Sequence, residues 1–185
     1  MTRWAAFVFL ALFYVCLGIG WSSDTRGIAY HFVPRPPEKL LTFSIWRTAP
    51  IDVAKVFGRV PACAFADDEL VEITAKAAIE SSLDPSIAAA TVASESGCNP
   101  WAVSSRGAVG MMQVMPKIWS DHFDFAGSVN LFNPEDNIRT GSKILASLVQ
   151  QYGTSEALRR YNGLGIGCNT CDAGYVNHIL LLAGR

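Results

Sequence analysis

The chain has 185 residues, 50% hydrophobic and 17% charged, with 15 basic against 16 acidic side chains and a formal net charge of −1. That length allows one domain of ordinary size with additions at its ends. Charges this evenly balanced give no basis for a nucleic-acid partner, which phosphate neutralisation would require, and neither a repeat period nor a phosphate-cradling glycine pattern occurs.

Met1-Thr2-Arg3 is followed by Trp4 to Trp21, eighteen residues without a charge. A basic start before an apolar run is an export signal. Eighteen residues sits at the short end of what spans a bilayer, which takes about 20. Gly18 and Gly20 are small enough for cleavage after Gly20, so residues 1–21 read as either a signal peptide or a signal anchor. Cys16 follows Val15, a poor match to a lipoprotein signal, which wants a small residue there. Residues 22–66 read as a spacer containing Pro34, Pro36, Pro37, Pro50 and Pro61. Whether Phe43 to Trp46 and Ile51 to Val60 pack on the domain or form a short helix stays open.

The compact domain is expected over residues 67–185 and is predominantly α. Asp67-Asp68-Glu69 opens a helix with Leu70, Val71, Ile73, Ala77 and Ala78 as its apolar stripe, ending near Leu83. Asp84 suits an N-cap, Pro85 the first helical position, and an Ala-rich run then leads to Glu95 and a stop at Gly97. Pro116 to about His122 reads as a short helix. Asn133 caps a longer one whose apolar positions run from Ile138 to Tyr152, with Gly153 ending it. Thr154 to Tyr161, capped by Thr154 or Ser155, and Ala173 to Ala183 complete the set. No segment alternates as a strand.

Four cysteines lie past the export segment: Cys63, Cys98, Cys168 and Cys171. In an oxidising compartment they allow two disulfides in three pairings. Cys168 and Cys171 also have the spacing of half a zinc site, but no second such pair accompanies them. Disulfides are the expectation, and no metal or other cofactor is called for.

Glu95 lies four residues beyond Thr91 and eight beyond Ile87, which puts its carboxyl on the buried face near the helix end. A carboxyl in apolar surroundings is costly unless neutral or paired, and desolvation raises its pKa toward the range a general acid needs. The bland alternative is a helix-end glutamate that swings into solvent. Beyond it, Gly107, Ala108 and Gly110 precede Met111-Met112-Gln113, and Tyr161-Asn162 closes a later helix. Taken singly, Tyr161 suits a core tyrosine and Asn162 a C-cap.

Together and in this order, these pieces resemble the soluble-lytic-transglycosylase-like (SLT) family, whose helical domain is related to goose-type lysozyme. Glu95-Ser96 matches the family's Glu-Ser, Gly110-Met111-Met112-Gln113 its Gly-Leu-Met-Gln, and Tyr161-Asn162 its Ala-Tyr-Asn. Asn137-Ile138 with Gly141, and Tyr175-Val176, match weaker positions. Arg160 stands for the usual alanine and Met111 for leucine, and the cysteine pair follows Asn162 where Ala-Gly-Pro is frequent. The resemblance covers about residues 67–183.

It implies a lysozyme-like fold and cleavage of the β-1,4 bond between N-acetylmuramic acid and N-acetylglucosamine in peptidoglycan, without water, leaving a 1,6-anhydro ring. By the same resemblance Glu95 is the catalytic acid, and Ser104, Gln113 and Tyr161 contact the sugars, as does Met112 through its side chain or backbone. Asn162 supports the acetamido region, Tyr175 steadies the proton of Glu95, and Ser96 braces the helix end. The partner is then the glycan strand, at the bacterial cell envelope, on the periplasmic side, anchored or released. Recruitment by secretion or wall-remodelling machinery fits so small a protein. Two alternatives are a true lysozyme, which needs a second carboxylate, and a weakly catalytic wall-binding accessory of a secretion or pilus machine. Asp121, Asp124, Glu135 and Asp136 lie in segments that read as loops or helix caps.

Overall fold

A computed structural model of the chain describes residues 43–120, 129–163 and 173–185. The expected export segment, Cys16, Cys168, Cys171, Asp121 and Asp124 lie outside the described residues.

Helices account for the described architecture, which has isolated bridges pairing Val109 with Val103 and Val114 but no strand. The helices are α1 (Phe43–Phe57), α2 (Asp68–Ser81), α3 (Pro85–Ser96), α4 (Pro116–Trp119), α5 (Pro134–Tyr152), α6 (Thr154–Tyr161) and α7 (Ala173–Leu182), with a 3-10 turn at Pro61–Cys63. None of them is long and apolar enough to cross a membrane.

α3 is the centre. Every residue from Ile87 to Ala93 is buried, so this helix is apolar all round, as a helix enclosed by others must be. Its alanines let α1, α2 and α7 approach it closely. Ala88, Ala89 and Ala90 are fully enclosed, and added methylenes there would overpack the core. Asp84 caps α3 by accepting from Ser86 N at 2.9 Å, Pro85 occupies the first turn, and Gly97 ends the helix in a left-handed conformation. Buried Thr91 is satisfied by donating to Ile87 O. α2 begins with Asp67 accepting from Leu70 N, and Asn133 caps α5 in the same way from Asp136 N. α5 packs on both α2 and α6, and α6 on α7.

Two boundaries differ from the sequence reading. Residues 43 to 57, assigned above to a spacer, form a helix whose Ala49, Val53, Val56 and Phe57 are buried in the same core as α3. Pro50 lies inside this helix, where a proline costs about 3 kcal/mol. Burial of those four side chains, at roughly 25 cal/mol per Å², more than offsets that cost. At α6 the N-cap is Gly153, with no side-chain cap, and both expected capping residues fall inside the helix.

Candidate active site

Glu95 occupies the last turn of α3 and is half-buried. Tyr175, in the first turn of α7, donates from Oη to Glu95 Oε1 at 2.6 Å. Burial raises the Glu95 pKa, and the Tyr175 hydrogen bond, which favours the ionised form, lowers it by less. The net direction is upward. Tyr175 itself is pushed far above its usual range by burial and by the Glu95 charge. Tyr161, at the end of α6, is raised for the same two reasons, so both phenols stay neutral and act as donors. The influence of Glu95 on both tyrosines brings the ends of α3, α6 and α7 to one place.

Ser104 and Gln113 lie on the loop between α3 and α4. Gln113 adopts a left-handed backbone (φ 47°), and its Nε2 donates to Ala102 O at 3.2 Å and to Gly110 O at 3.0 Å. With both amide hydrogens held by backbone, the side chain offers its carbonyl oxygen as an acceptor. Ser104 Oγ accepts from Ala108 N at 3.0 Å, which leaves its hydroxyl hydrogen to donate. Ser96 Oγ donates to Val92 O, a bond internal to the end of α3.

Of the two ways expected for Met112 to reach sugar, the side chain is not placed for it. Its side chain is fully buried, with Sδ 3.8 Å from Ser142 Oγ. Its N–H donates to Asn137 Oδ1 at 2.7 Å, and its carbonyl accepts from Tyr161 Oη at 2.8 Å. Side chain and backbone are therefore both engaged within the fold, and Met112 buttresses Gln113 and Tyr161. Asn162 is exposed at the end of α6, its N–H bonded to Leu158 O.

The residue that sequence reasoning gave no role is Asn137. It is fully buried in α5, and its Nδ2 donates to Val109 O and Leu131 O, each at 2.8 Å, while Oδ1 accepts from Met112 N. One amide thus ties the Gln113 loop to the segment ahead of α5. The available signal was an asparagine beside Ile138 on the apolar face of an amphipathic helix, where an unpaired amide is costly. Gly141, one turn on, sits under the same cluster. A Cβ there would fall 2.6 Å from Met112 Sδ and 2.9 Å from Tyr161 Oη.

Of the carboxylates weighed as a second acid, Glu135 pairs with Lys76 and Arg139, and Asp136 with Arg139. Among the described residues no cluster of three or more His, Cys, Asp or Glu side chains could hold a metal. Cys63 and Cys98 are joined by a disulfide, one of the bonds that the cysteine count allowed. The described residues also form an open cleft of about 550 Å³, lined in part by Phe65, Leu70, Ile73, Asn99 and Pro100. None of Glu95, Gln113, Tyr161 or Tyr175 lines it. The burial-raised Glu95 carboxyl and its phenol donor meet outside it.

The chain is 34% identical over 104 residues to a transglycosylase of Enterobacteria phage PRD1, a stretch covering 56% of this chain and 37% of that protein. It is 38% identical over 84 residues to membrane-bound lytic murein transglycosylase C of Sodalis glossinidius (strain morsitans), covering 42% of this chain and 24% of that protein. The matched stretches thus span well under half the length of these relatives. The Transglycosylase SLT domain matches residues 72–173, more than half of the 185, and holds Glu95, Gln113 and Tyr161. The chain belongs to the transglycosylase SLT domain family.

Proposed function

We propose that this protein is a peptidoglycan lytic transglycosylase that cleaves the β-1,4 bond between N-acetylmuramic acid and N-acetylglucosamine and forms a 1,6-anhydromuramyl end. The observation that carries the reading is the half-buried Glu95, its pKa raised by burial and its Oε1 held by Tyr175. A carboxyl whose pKa is raised by burial holds its proton to higher pH, as a general acid requires. Membership of the SLT family and the names of the relatives support the substrate class.

In this reading Glu95 gives its proton to the glycosidic oxygen as the bond to the muramyl C1 breaks. The substrate's acetamido oxygen stabilises the positive centre at C1. The Glu95 carboxylate then takes the proton of the muramyl C6 hydroxyl, and that oxygen closes on C1. One acid is spent and regenerated, and no water enters. Tyr175, as a donor to the carboxylate, acts when Glu95 is ionised and serving as base. Gln113 accepts from, and Ser104 donates to, the sugars. Tyr161 lines the site beside Glu95, and the exposed Asn162 faces the acetamido region. The basic start and uncharged run of Trp4 to Trp21 support export to the cell envelope, with the chain anchored or released on the periplasmic side.

The test is mass spectrometry of muropeptides released from purified peptidoglycan by the full chain. Products one water lighter than reducing-end muropeptides are expected. Reducing-end products would make the protein a hydrolase, and a folded, wall-binding chain that releases nothing would make it an accessory.

A further inference from the structure

The Cys63–Cys98 disulfide lies three residues past Glu95, on a strap of chain that serves both halves of the site. Glu95 and Ser96 close α3, and two left-handed residues follow in succession, Gly97 (φ 58°) and Cys98 (φ 63°). The first is a glycine, and a Cβ there would fall 2.9 Å from Ala62 Cβ. The second is not, and a left-handed cysteine must be held by its surroundings. Cys63 holds it, with the two Cα atoms 5.2 Å apart and the Cys63 residue buried in the core. From there the strap turns through Asn99, whose Oδ1 accepts from Trp101 N, and reaches Ala102. The Ala102 carbonyl accepts from Gly110 N at 2.8 Å and from Gln113 Nε2 at 3.2 Å. One end of the strap carries the acid and the other orients Gln113, and Cys98 pins its middle to the core ahead of α2.

We propose that the Cys63–Cys98 bond is a positioning element for the reaction: it fixes the turn that sets Glu95 and Gln113 relative to each other. The inference rests on Glu95 being the acid. Without the bond, Cys98 leaves the left-handed region, the last turn of α3 loosens, and water reaches the Glu95 carboxyl.

The test is wall cleavage by the full chain, with the other cysteines replaced by serine. Three forms are compared: Cys63–Cys98 intact, Cys63→Ala with Cys98→Ala, and Cys63→Ala with Cys98→Gly. The alanine pair is expected to lose about tenfold in rate, and its alkaline limb should move to lower pH as burial of Glu95 weakens. Cys98→Gly adopts the left-handed turn freely and should recover a good part of the rate without restoring the bond. A lower melting temperature in the alanine pair, with rate and pH limb unchanged, would make the bond a mere staple and overturn the proposal. Should the variants fail to fold, reduction of the intact form under native conditions gives the same readout. An unchanged rate and limb there overturns the proposal equally. Glu95→Gln run alongside separates the two claims: an active Glu95→Gln chain sinks the acid assignment, whereas an inactive one, with the rate and limb of the alanine pair unchanged, sinks this inference alone.

Discussion

The Tyr175 phenol and the Glu95 carboxyl, 80 residues apart in the chain, meet at 2.6 Å. The bond opposes the effect of burial, because a donor to the ionised form draws the pKa down while desolvation pushes it up. Tyr175→Phe removes only the lowering influence. The Glu95 pKa should therefore rise further, and the alkaline limb of the pH–rate profile should move to higher pH. The loss of one hydrogen bond to the base form, about 1 kcal/mol net, lowers the rate by roughly five- to tenfold. A limb that moves to lower pH would contradict this account.

Glu95→Gln should abolish cleavage, on the order of a 10²–10⁴-fold loss for a missing general acid, and leave the fold intact. It should also stabilise the protein in a defined pH window. Because the folded pKa of Glu95 is raised, ionisation favours the unfolded chain, so stability is lost as pH climbs from the ordinary glutamate range through the folded value. Glutamine escapes that loss. Thermal unfolding should show Glu95→Gln melting higher than the parent at pH 8, with the difference vanishing near pH 4 and below.

Gly141→Ala would place a methyl 2.7 Å from Met112 Cβ and 2.9 Å from Tyr161 Oη, inside a fully packed cluster. Overpacking of this kind costs about 1–3 kcal/mol. Chemical denaturation should show that loss, and the cleavage rate should fall with it, because the displaced groups support Gln113 and hold Tyr161.

Asn137→Leu leaves the buried Met112 N–H without its acceptor and takes a donor from the half-buried carbonyls of Val109 and Leu131, of which Val109 O keeps Val114 N. A buried unsatisfied donor costs about 1–3 kcal/mol, so chemical denaturation should show a loss of that size. Asn137→Asp keeps the shape and the acceptor but loses both donors. It should be least stable at high pH, where a carboxylate would face two carbonyl oxygens. A flat pH dependence for Asn137→Asp would argue against this arrangement.

Local rules carried much of the fold. Asp84, Pro85 and Gly97 marked the ends of α3, and Asn133 and Gly153 those of α5, because caps and stops are decided within a few residues of chain. α1 was hidden for the opposite reason. Its stripe of Ala49, Val53, Val56 and Phe57 has helical spacing, but Pro50 reads as a breaker until the core that offsets it is known. The site was legible in parts. Motif order singled out Glu95, Gln113, Tyr161 and Tyr175, whereas the enclosure of Met112 and the triple bonding of Asn137 depend on how α5 lies against the loop. Apart from the Asn137–Leu131 bond, such contacts span 25 to 49 residues of sequence, beyond the reach of any local pattern.

The stretch shared with the family and the unit that folds are not the same piece of chain. The family match runs from residue 72 to residue 173, which leaves out α1, the Asp67 cap of α2 and all but the first residue of α7. α1 and α7 both cover the alanine surface of α3, and α7 brings Tyr175 to the acid. Residues 72–173 moved alone into another scaffold would carry Glu95 without its phenol and with two sides of its helix bare. Exchange of activity between relatives would need the flanking helices to travel with it, so the heritable motif is smaller than the transplantable machine.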